Sequence, residues 1–299
     1  MIRLYYYDGT NFGDAMSPLI VERLSGRKAM FTRRFVTADL IAMGSCFYQG
    51  WELFGDLAQL NFREAVLWLP HVVHRTLSKS IPVWGTGFLR YPKLKRPFLK
   101  KRLDIRALRG VRTREILAGL GLVRSGQKMA YGDPGLLFAS LFDITPKPEC
   151  DLGIVPHRDE PEIGERLAAA YRAKGLSVRV LDARQGPQEV ARGIAACARV
   201  LSSSLHGLVV ADSLGIPNRH VVASTFGYAR KDFLLKFEDY YSAFEAPMPT
   251  MVTLDDALAD PLGSLENWTD GVRAPDKLAE VQQGLRESFP FPLSERACR

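Results

Sequence analysis

Strand-like and helix-like segments alternate along the whole of this 299-residue chain, and this order constrains the fold more than any other feature. Short apolar runs predict strands at 2–7, 40–43, 81–84, 129–131, 152–155, 177–181, 200–201 and 220–222. Helical spacing of apolar residues predicts helices at 14–24, 113–120, 162–173, 187–196 and 275–289. Such alternation favours parallel sheets covered by helices, so the sequence predicts an α/β fold.

A proline-rich segment near the middle of the chain marks a predicted domain boundary. Pro146 and Pro148 lie two residues apart, as is common in linkers. The charge balance changes sign there, because residues 1–150 carry 23 Lys and Arg against 12 Asp and Glu, whereas residues 151–299 carry 17 against 21. The sequence therefore predicts an N-terminal domain at 1–147 and a C-terminal domain at 148–299, which ends in an amphipathic helix.

The segment at 200–217 predicts a strand, a serine-rich loop and a helix in direct succession. Ser203 and Ser204 precede the helix, and Leu205 and His206 begin it. A helix start offers free backbone N–H groups and a positive dipole end, so it is a natural anion site. The serines alternatively serve only as helix caps. His206 can donate or accept a proton. The positive end of the helix dipole disfavours its charged form, so a histidine at this position favours a functional role over a purely structural one.

Two further strand ends place an aspartate where it can either cap a helix or enter a ligand cleft. Asn11, Gly13 and Asp14 follow the first predicted strand, and Gly13 permits a tight turn and a close approach of the backbone. Asp133 follows the strand predicted at 129–131. Because ligands of open α/β sheets bind at the carboxyl ends of strands, both carboxylates are candidate general bases. A capping or turn role is the alternative for each.

Basic residues are concentrated between Arg90 and Arg114, where eleven of them accompany a single acidic residue, Asp104. Arg109 follows a predicted strand and Arg112 lies near a helix start, so both are candidate ligands of a carboxylate or phosphate. The stretch as a whole is a solvated face, a nucleic-acid site, or a contact with an anionic membrane or polyanion. Aromatic residues are sparse and no nucleic-acid motif is present, which favours the third interpretation.

Composition argues against several other classes of protein. The apolar runs are far shorter than a membrane span, and the first residues lack the apolar core of a signal peptide. The four cysteines form no CxxC pair, and His71 and His74 lack the carboxylate of an HExxH-type motif, so we expect no metal site. These features predict a cytoplasmic protein with reduced thiols.

Five motifs occur in a fixed order: Asn11-Phe12-Gly13-Asp14, Trp84-Gly85-Thr86-Gly87, Arg109-Gly110 with Thr113, Asp133-Pro134-Gly135-Leu136-Leu137, and Ser203-Ser204-Leu205-His206-Gly207-Leu208. Over roughly residues 1–245, this set resembles the polysaccharide pyruvyl transferase family, and most closely its exopolysaccharide branch. The resemblance implies a GT-B-like fold, in which two Rossmann-type domains with parallel sheets face a central cleft. It also implies transfer of the enolpyruvyl unit of phosphoenolpyruvate to two hydroxyls of one sugar, which forms a cyclic ketal and needs no further cofactor.

The resemblance assigns donor-site roles to Arg109 and His206. Many members have Arg-Leu-His where this chain has Ser204-Leu205-His206, so serine hydroxyls or another arginine must replace that guanidinium. From the residue chemistry, we expect His206 to bind the donor phosphate and act as general acid, and Asp14 or Asp133 to accept a proton from the sugar. The remaining predicted substrate-binding residues are Asn11, Gly13, Arg109, Arg112, Ser203, Ser204 and Leu205.

Two other functions remain open from the sequence. One is a GT-B glycosyltransferase that uses a nucleotide sugar, since fold alone does not decide the donor. The other is a non-catalytic module that binds anionic glycans or membranes through the stretch from Arg90 to Arg114. For the pyruvyl transferase, the expected acceptor is a sugar or lipid-linked oligosaccharide, with the protein peripheral at the inner membrane face and without a nucleic-acid partner.

Overall fold

The computed structural model describes residues 1–9, 11–33, 38–47, 80–92, 103–222, 231–266, 268, 274–295 and 297. In this part of the chain the strands form two five-stranded parallel sheets and a two-stranded sheet, with helices packed on and between them. The α/β fold class with GT-B-like architecture is therefore confirmed.

The first large sheet contains the strands of the N-terminal third of the chain. These are β1 (Ile2–Tyr5), β2 (Ala29–Phe31), β3 (Leu40–Ala42), β4 (Ile81–Trp84) and β5 (Leu103–Ile105). They lie in the order β2-β1-β3-β4-β5, and every neighbouring pair is parallel. The two-stranded sheet, β6 (Ala107–Leu108) and β7 (Ala130–Tyr131), follows directly and is also parallel.

The second large sheet repeats this topology. Its strands are β8 (Cys150–Val155), β9 (Val178–Val180), β10 (Cys197–Ser202), β11 (Asn218–Val222) and β12 (Val252–Thr253). They lie in the order β12-β11-β10-β8-β9 and are parallel throughout. In each sheet the first strand in sequence therefore lies between the second and the third, so the strand order reverses at β1/β3 and at β8/β10.

Nine α-helices occur in the described residues. They are α1 (Phe12–Ser25), α2 (Val111–Gly119), α3 (Phe138–Leu141), α4 (Pro161–Arg172), α5 (Pro187–Ala195), α6 (Leu205–Ser213), α7 (Lys231–Ser242), α8 (Leu254–Ala259) and α9 (Pro275–Glu287). Short 3-10 helices occupy Pro134–Leu137 and Gly263–Leu265. None of the helices described is long and apolar enough to cross a bilayer.

The helices α1 and α6 join the two halves of the molecule. Eight consecutive residues of α6, Leu205 to Asp212, are buried, which fits a helix that is apolar on every side. Met16 and Ile20 of α1 share one buried apolar cluster with Val209 of α6. This continuous core fixes the first turns of both helices relative to each other.

The C-terminal helix packs on elements of the first half. Trp84 Nε1 donates a hydrogen bond of 2.9 Å to the carbonyl of Leu285 in α9. Gln282 of α9 donates one of 2.8 Å to the carbonyl of Leu136. The boundary between 147 and 148 stays a prediction: the two large sheets lie on either side of it, but α9, which the prediction places in the second domain, packs on the first half.

The predicted strands and helices in the described residues are present, with ends that differ by a few residues. The prediction omits the strands β2 and β12 and the helices α3, α7 and α8. The single strand expected before Arg109 is broken into β5, which joins the first sheet, and β6, which joins the small one. The helix that follows begins at Val111 instead of Thr113. Its start is capped from α7, where Asp239 and Ser242 accept hydrogen bonds from its backbone N–H groups.

Candidate functional site

A cavity of about 320 Å³ lies where the carboxyl ends of the two large sheets meet. Its wall contains residues that follow β1 and β3 in the first sheet and residues that follow β8 and β10 in the second. The strand order reverses at both positions, and ligands of open α/β sheets bind at such points. The topology therefore places the candidate site at the topological switch point of each sheet, which is the position where the strand order reverses.

Both halves of the molecule supply this wall. The first half contributes Tyr5, Tyr6, Tyr7, Asn11, Asp14, Gly44, Ser45, Cys46, Leu89 and Arg109. The second half contributes His157, Arg158, Asp159, Ser204, Leu205, His206 and Lys236. Six of the predicted site residues thus share one cavity: Asn11, Asp14, Arg109, Ser204, Leu205 and His206.

His206 lies in the first turn of α6, directly against the first turn of α1. A Cβ atom on Gly13 would collide with the imidazole, so only glycine leaves room for His206 in this position. The Phe12 ring lies edge-on to the imidazole, with centroids 6.5 Å apart. Burial lowers the pKa of His206 to about 3, and the charges of Lys236 and Arg109 act in the same direction. The histidine is therefore neutral near pH 7.

Asp133 lies behind His206 and is fully buried. Its Oδ1 accepts the backbone N–H of Gly135 at 2.9 Å, and its Oδ2 lies 3.7 Å from His206 Nε2. Neither of these last two atoms has a hydrogen-bond partner. Burial raises the pKa of Asp133 to about 6. Asp133 is not among the residues of the cavity wall, and its carboxylate faces the histidine. Its role as a general base stays a prediction.

Asp14, in contrast, lines the cavity from the first turn of α1. Burial raises the pKa of this carboxyl group to about 7, against the lowering effect of Arg158 and Lys236. Asn11 also hydrogen-bonds to it and accepts the backbone N–H of Gly13, so it orders the start of α1. Asp14 is thus a carboxyl group that changes charge near neutral pH, which suits a general base.

Arg109 reaches the cavity, but its guanidinium is already bonded within the protein. Its Nε donates to Asp239 Oδ2 at 2.9 Å, its Nη2 to the carbonyl of Phe88 at 2.6 Å, and its Nη1 to Ser45 Oγ at 3.2 Å. Arg109 and Asp239 both have fully buried side chains. Asp239 also accepts bonds from the N–H and Oγ of Thr113. The arginine is therefore a rigid positive charge at the wall of the cavity.

The serines before α6 have separate positions. Ser203 Oγ accepts the backbone N–H of His157 at 2.8 Å and ties the loop to the end of β8, away from the cavity wall. Ser204 is the N-cap residue, yet its side chain makes no capping hydrogen bond and lines the cavity. Both serines were predicted to bind substrate. Ser204 lines the cavity, whereas Ser203 holds the loop in place behind it.

Arg112 lies outside the site. Its side chain is half exposed and pairs with Glu115 at 3.0 Å on the surface of α2. A neighbouring arginine, Arg106, pairs with Asp104 at 2.7 Å. Arg112 is not among the residues that line the cavity, so its role in substrate binding stays a prediction that the position of its side chain does not favour. Residues 93–102, the centre of the basic stretch, lie outside the described residues.

Three functional candidates escaped the sequence analysis: His157, Arg158 and Lys236. The first two directly follow β8, so the rule that identified other strand ends would have found them. Arg158 donates to Tyr7 Oη at 3.4 Å and lies over the Tyr7 ring. Lys236 is buried on α7, and no motif marks it.

No group of three or more histidine, cysteine or acidic side chains that could hold a metal occurs among the described residues. His71 and His74 lie outside them. Cys46, Cys150 and Cys197 are free thiols, and burial raises the pKa of Cys46, which lines the cavity, to about 12. This cysteine is therefore a poor nucleophile near neutral pH.

The strand order of the two sheets and the shared cavity define a GT-B-like α/β protein whose site lies between its halves. A sequence model of the polysaccharide pyruvyl transferase family matches residues 11–224. The chain therefore belongs to that family, whose members are transferases. It is also similar to an uncharacterized protein of Acanthamoeba polyphaga mimivirus, with 26% identity over 244 residues that cover 80% of this chain and 73% of the relative.

Proposed function

We propose that this protein transfers the enolpyruvyl unit of phosphoenolpyruvate to two hydroxyls of one sugar, giving a cyclic pyruvate ketal and free phosphate. The observation that carries the proposal is the convergence of Asp14, Arg109, Lys236 and His206 on a single cavity at both switch points. The family gives the reaction class, and the cavity supplies the groups that such a reaction needs.

The electrostatics of the cavity support a small anionic donor. The first turns of α1 and α6 both border it, and helix N-termini favour phosphate and carboxylate groups. Arg109, Arg158 and Lys236 add positive charge, and the Ser204 hydroxyl adds a donor. A volume of about 320 Å³ accommodates a three-carbon phosphate together with part of an acceptor sugar.

The reaction divides into two additions at C2 of the donor. A general acid protonates the methylene carbon, which leaves C2 as an oxocarbenium centre, and the first hydroxyl attacks it. The C2–O bond to phosphate then breaks with its electron pair, and the second hydroxyl closes the ketal ring. Two hydroxyl protons are released in all; one restores the acid and the other leaves with phosphate. The cavity must therefore supply both an acid and a base.

We assign the acid to His206 and the base to Asp14. The neutral imidazole can donate its N–H to the donor phosphate, whose negative charge favours protonation of the ring. Asp133, 3.7 Å from Nε2, would stabilise the resulting imidazolium from behind. Asp14 is the predicted base that lies in the cavity wall, and as a carboxylate it can accept the hydroxyl protons.

We expect Gly13→Ala to lower turnover by about 100-fold, because the new methyl group displaces the His206 imidazole and misplacement by about 1 Å has this effect. Steady-state rates of phosphate release measure the change. Gly119→Ala is the matched control: it makes the same substitution in a helix where a Cβ meets nothing within 4 Å, and should leave the rate unchanged. Equal rates for the two variants would contradict the packing argument.

We expect kcat/KM to rise with pH through about 7, since Asp14 must be ionised to act as base and its pKa is raised to about 7. Below that value the rate should fall about tenfold for each pH unit. Asp14→Asn should remove this acidic limb and lower the plateau. A pH–rate profile of both proteins provides the measurement, and an unchanged acidic limb in the variant would assign it to another group.

The proposed acceptor is a sugar of a lipid-linked oligosaccharide in exopolysaccharide assembly at the cytoplasmic membrane face. The excess of basic residues between Arg90 and Arg114 supports a peripheral contact with anionic lipid there. Tyr7, which is exposed beside the cavity, offers a ring for stacking on a sugar. Sedimentation with vesicles containing anionic lipid tests the membrane contact, which should weaken as salt is raised.

The decisive experiment incubates the purified protein with phosphoenolpyruvate and a panel of simple glycosides. The proposal expects phosphate release that depends on the acceptor, and a product whose mass has increased by one pyruvate ketal. Parallel reactions contain nucleotide sugars. Nucleotide release without reaction of phosphoenolpyruvate would identify a glycosyltransferase, and salt-sensitive glycan binding without any product would identify a binding module.

A further inference from the structure

Two free thiols face each other at the amino end of the second large sheet. Cys150 is the first residue of β8 and Cys197 is the first residue of β10, and the two are in-register partners on neighbouring parallel strands. Their Sγ atoms lie 3.3 Å apart, and the Cys150 thiol donates to the Cys197 sulfur. The candidate site lies beyond the opposite ends of the same strands, so neither thiol takes part in the proposed reaction.

The backbone at this pair already has the geometry that a disulfide requires. Neighbouring strands lie about 4.8 Å apart, and the Cα atoms of bridged cysteines are usually about 4.4–6.8 Å apart. Rotation of the two side chains would bring the sulfur atoms from 3.3 Å to the bond length of about 2.0 Å. A covalent bond between them therefore needs no movement of either strand.

The surroundings keep the two thiols together and leave one of them accessible. Cys197 is buried, and its Sγ donates to the carbonyl of Gly193 in α5 at 3.1 Å. A Cβ atom on Gly153 would lie 2.7 Å from this sulfur, so the glycine leaves room for it. Cys150 is partly exposed. Burial raises the pKa of Cys197, so Cys150 is the thiol that reacts first with a reagent from solvent.

We propose that Cys150 and Cys197 form a redox modification site that reacts with a disulfide of low molecular mass, such as oxidised glutathione, and closes to an intramolecular disulfide. The Cys150 thiolate attacks one sulfur of the oxidant, and the other half of the oxidant leaves as a thiol that takes up the proton of Cys150. The Cys197 sulfur then attacks Cys150 Sγ, and the second half leaves as a thiol with the proton of Cys197. Two protein thiols are oxidised to one disulfide, and one molecule of oxidant is reduced to two thiols.

Closure of this disulfide would join β8 directly to β10 and enclose α4, β9 and α5 in a covalent loop. Such a link restricts the unfolded chain and thereby stabilises the folded state. Five residues of strand, about 17 Å, separate the pair from the strand ends that border the cavity. We therefore expect oxidation to stabilise the second half of the molecule and to leave the geometry of the candidate site unchanged.

Thiol mapping of the full-length protein tests the proposal. The protein is incubated with oxidised glutathione, unfolded, treated with an alkylating reagent and digested for mass spectrometry. We expect a linked pair of peptides that contains Cys150 and Cys197 and that dithiothreitol separates. Glutathione attached to Cys150 without closure, or two alkylated cysteines at these positions, would overturn the proposal.

Two variants control for the other cysteines of the chain. Cys298→Ser removes a cysteine and keeps the pair, so the same linked peptides should appear. Cys150→Ser removes the partly exposed member of the pair, so Cys197 should be recovered in its alkylated form. Linked peptides that disappear in Cys298→Ser would assign the oxidation to that cysteine and refute the site.

Thermal unfolding tests the expected stabilisation. The oxidised wild type should melt roughly 5–10 °C above the reduced protein, as estimated from the length of the closed loop. Cys150→Ser should melt at one temperature with and without oxidant. A linked wild type that melts no higher than the reduced protein would refute the stabilising role. None of these measurements depends on pyruvyl transfer, so this inference and the proposed function can fail separately.

Discussion

Replacement of His206 by alanine should lower turnover on the order of 1,000-fold, the middle of the range for loss of a positioned proton-transfer group. His206 lines the cavity, begins α6 and faces Asp133 across 3.7 Å. In the proposed reaction the imidazole contacts the donor phosphate and protonates the methylene carbon. Its loss removes proton transfer, whereas the positive charges of Arg109 and Lys236 remain at the cavity wall, so kcat should fall far more than KM rises.

His220→Ala is the matched control for this prediction. His220 is also buried in the second half, and burial lowers its pKa to about 3 as well. It stacks on Phe237 with ring centroids 3.8 Å apart and does not contribute to the described cavity wall. Both variants lose a buried ring, so they should lose similar stability, but only His206→Ala should lose turnover. Wild-type turnover in His206→Ala would exclude the histidine from the chemistry.

The largest effect on stability should come from Asp239→Ala, which we expect to lower the free energy of unfolding by about 3–5 kcal/mol. Asp239 is fully buried, pairs with the equally buried Arg109 at 2.9 Å, and accepts two hydrogen bonds from Thr113 at the start of α2. Truncation leaves a guanidinium without its counter-charge and a helix start without its cap. Urea unfolding monitored by circular dichroism measures the loss.

Asp104→Ala is the control, because it removes a carboxylate from an ion pair with the exposed Arg106. Exposed pairs contribute about 0–1 kcal/mol, so this variant should unfold close to the wild type. The double variant Asp239→Leu with Arg109→Met should recover part of the stability, since it removes both buried charges together. A loss of less than about 1 kcal/mol for Asp239→Ala would show that the pair contributes no more than an exposed one.

Strand ends were the reliable guide to the site from sequence. The motifs at Asn11–Asp14 and at Ser204–His206 follow β1 and β10, and the parallel order of each sheet brings such ends to one edge. The same reasoning would have identified Arg158 after β8. It did not show that Ser204 lines the cavity while Ser203 does not. Adjacent loop residues face different sides, and here the hydrogen bond from the backbone N–H of His157 to Ser203 Oγ holds Ser203 away from the cavity.

Arginines were the least predictable residues. Arg109 and Arg112 lie three positions apart on either side of a helix start, yet the first is fully buried and the second is half exposed. Their difference depends on Asp239, which is 130 residues from Arg109 in the sequence and is brought there by α7. A local pattern contains no information about such a partner.

The order of apolar and polar residues alone determined the α/β architecture, most of its strands and helices, and the helix start that bears His206, because these depend on interactions between near neighbours. Only the tertiary structure decided that α9 covers the first half, that Asp133 lies behind the histidine, and that Lys236 lies in the cavity. Those placements depend on packing between segments far apart in sequence, where burial and charge compensation, summed over the whole core, select the partner of each group.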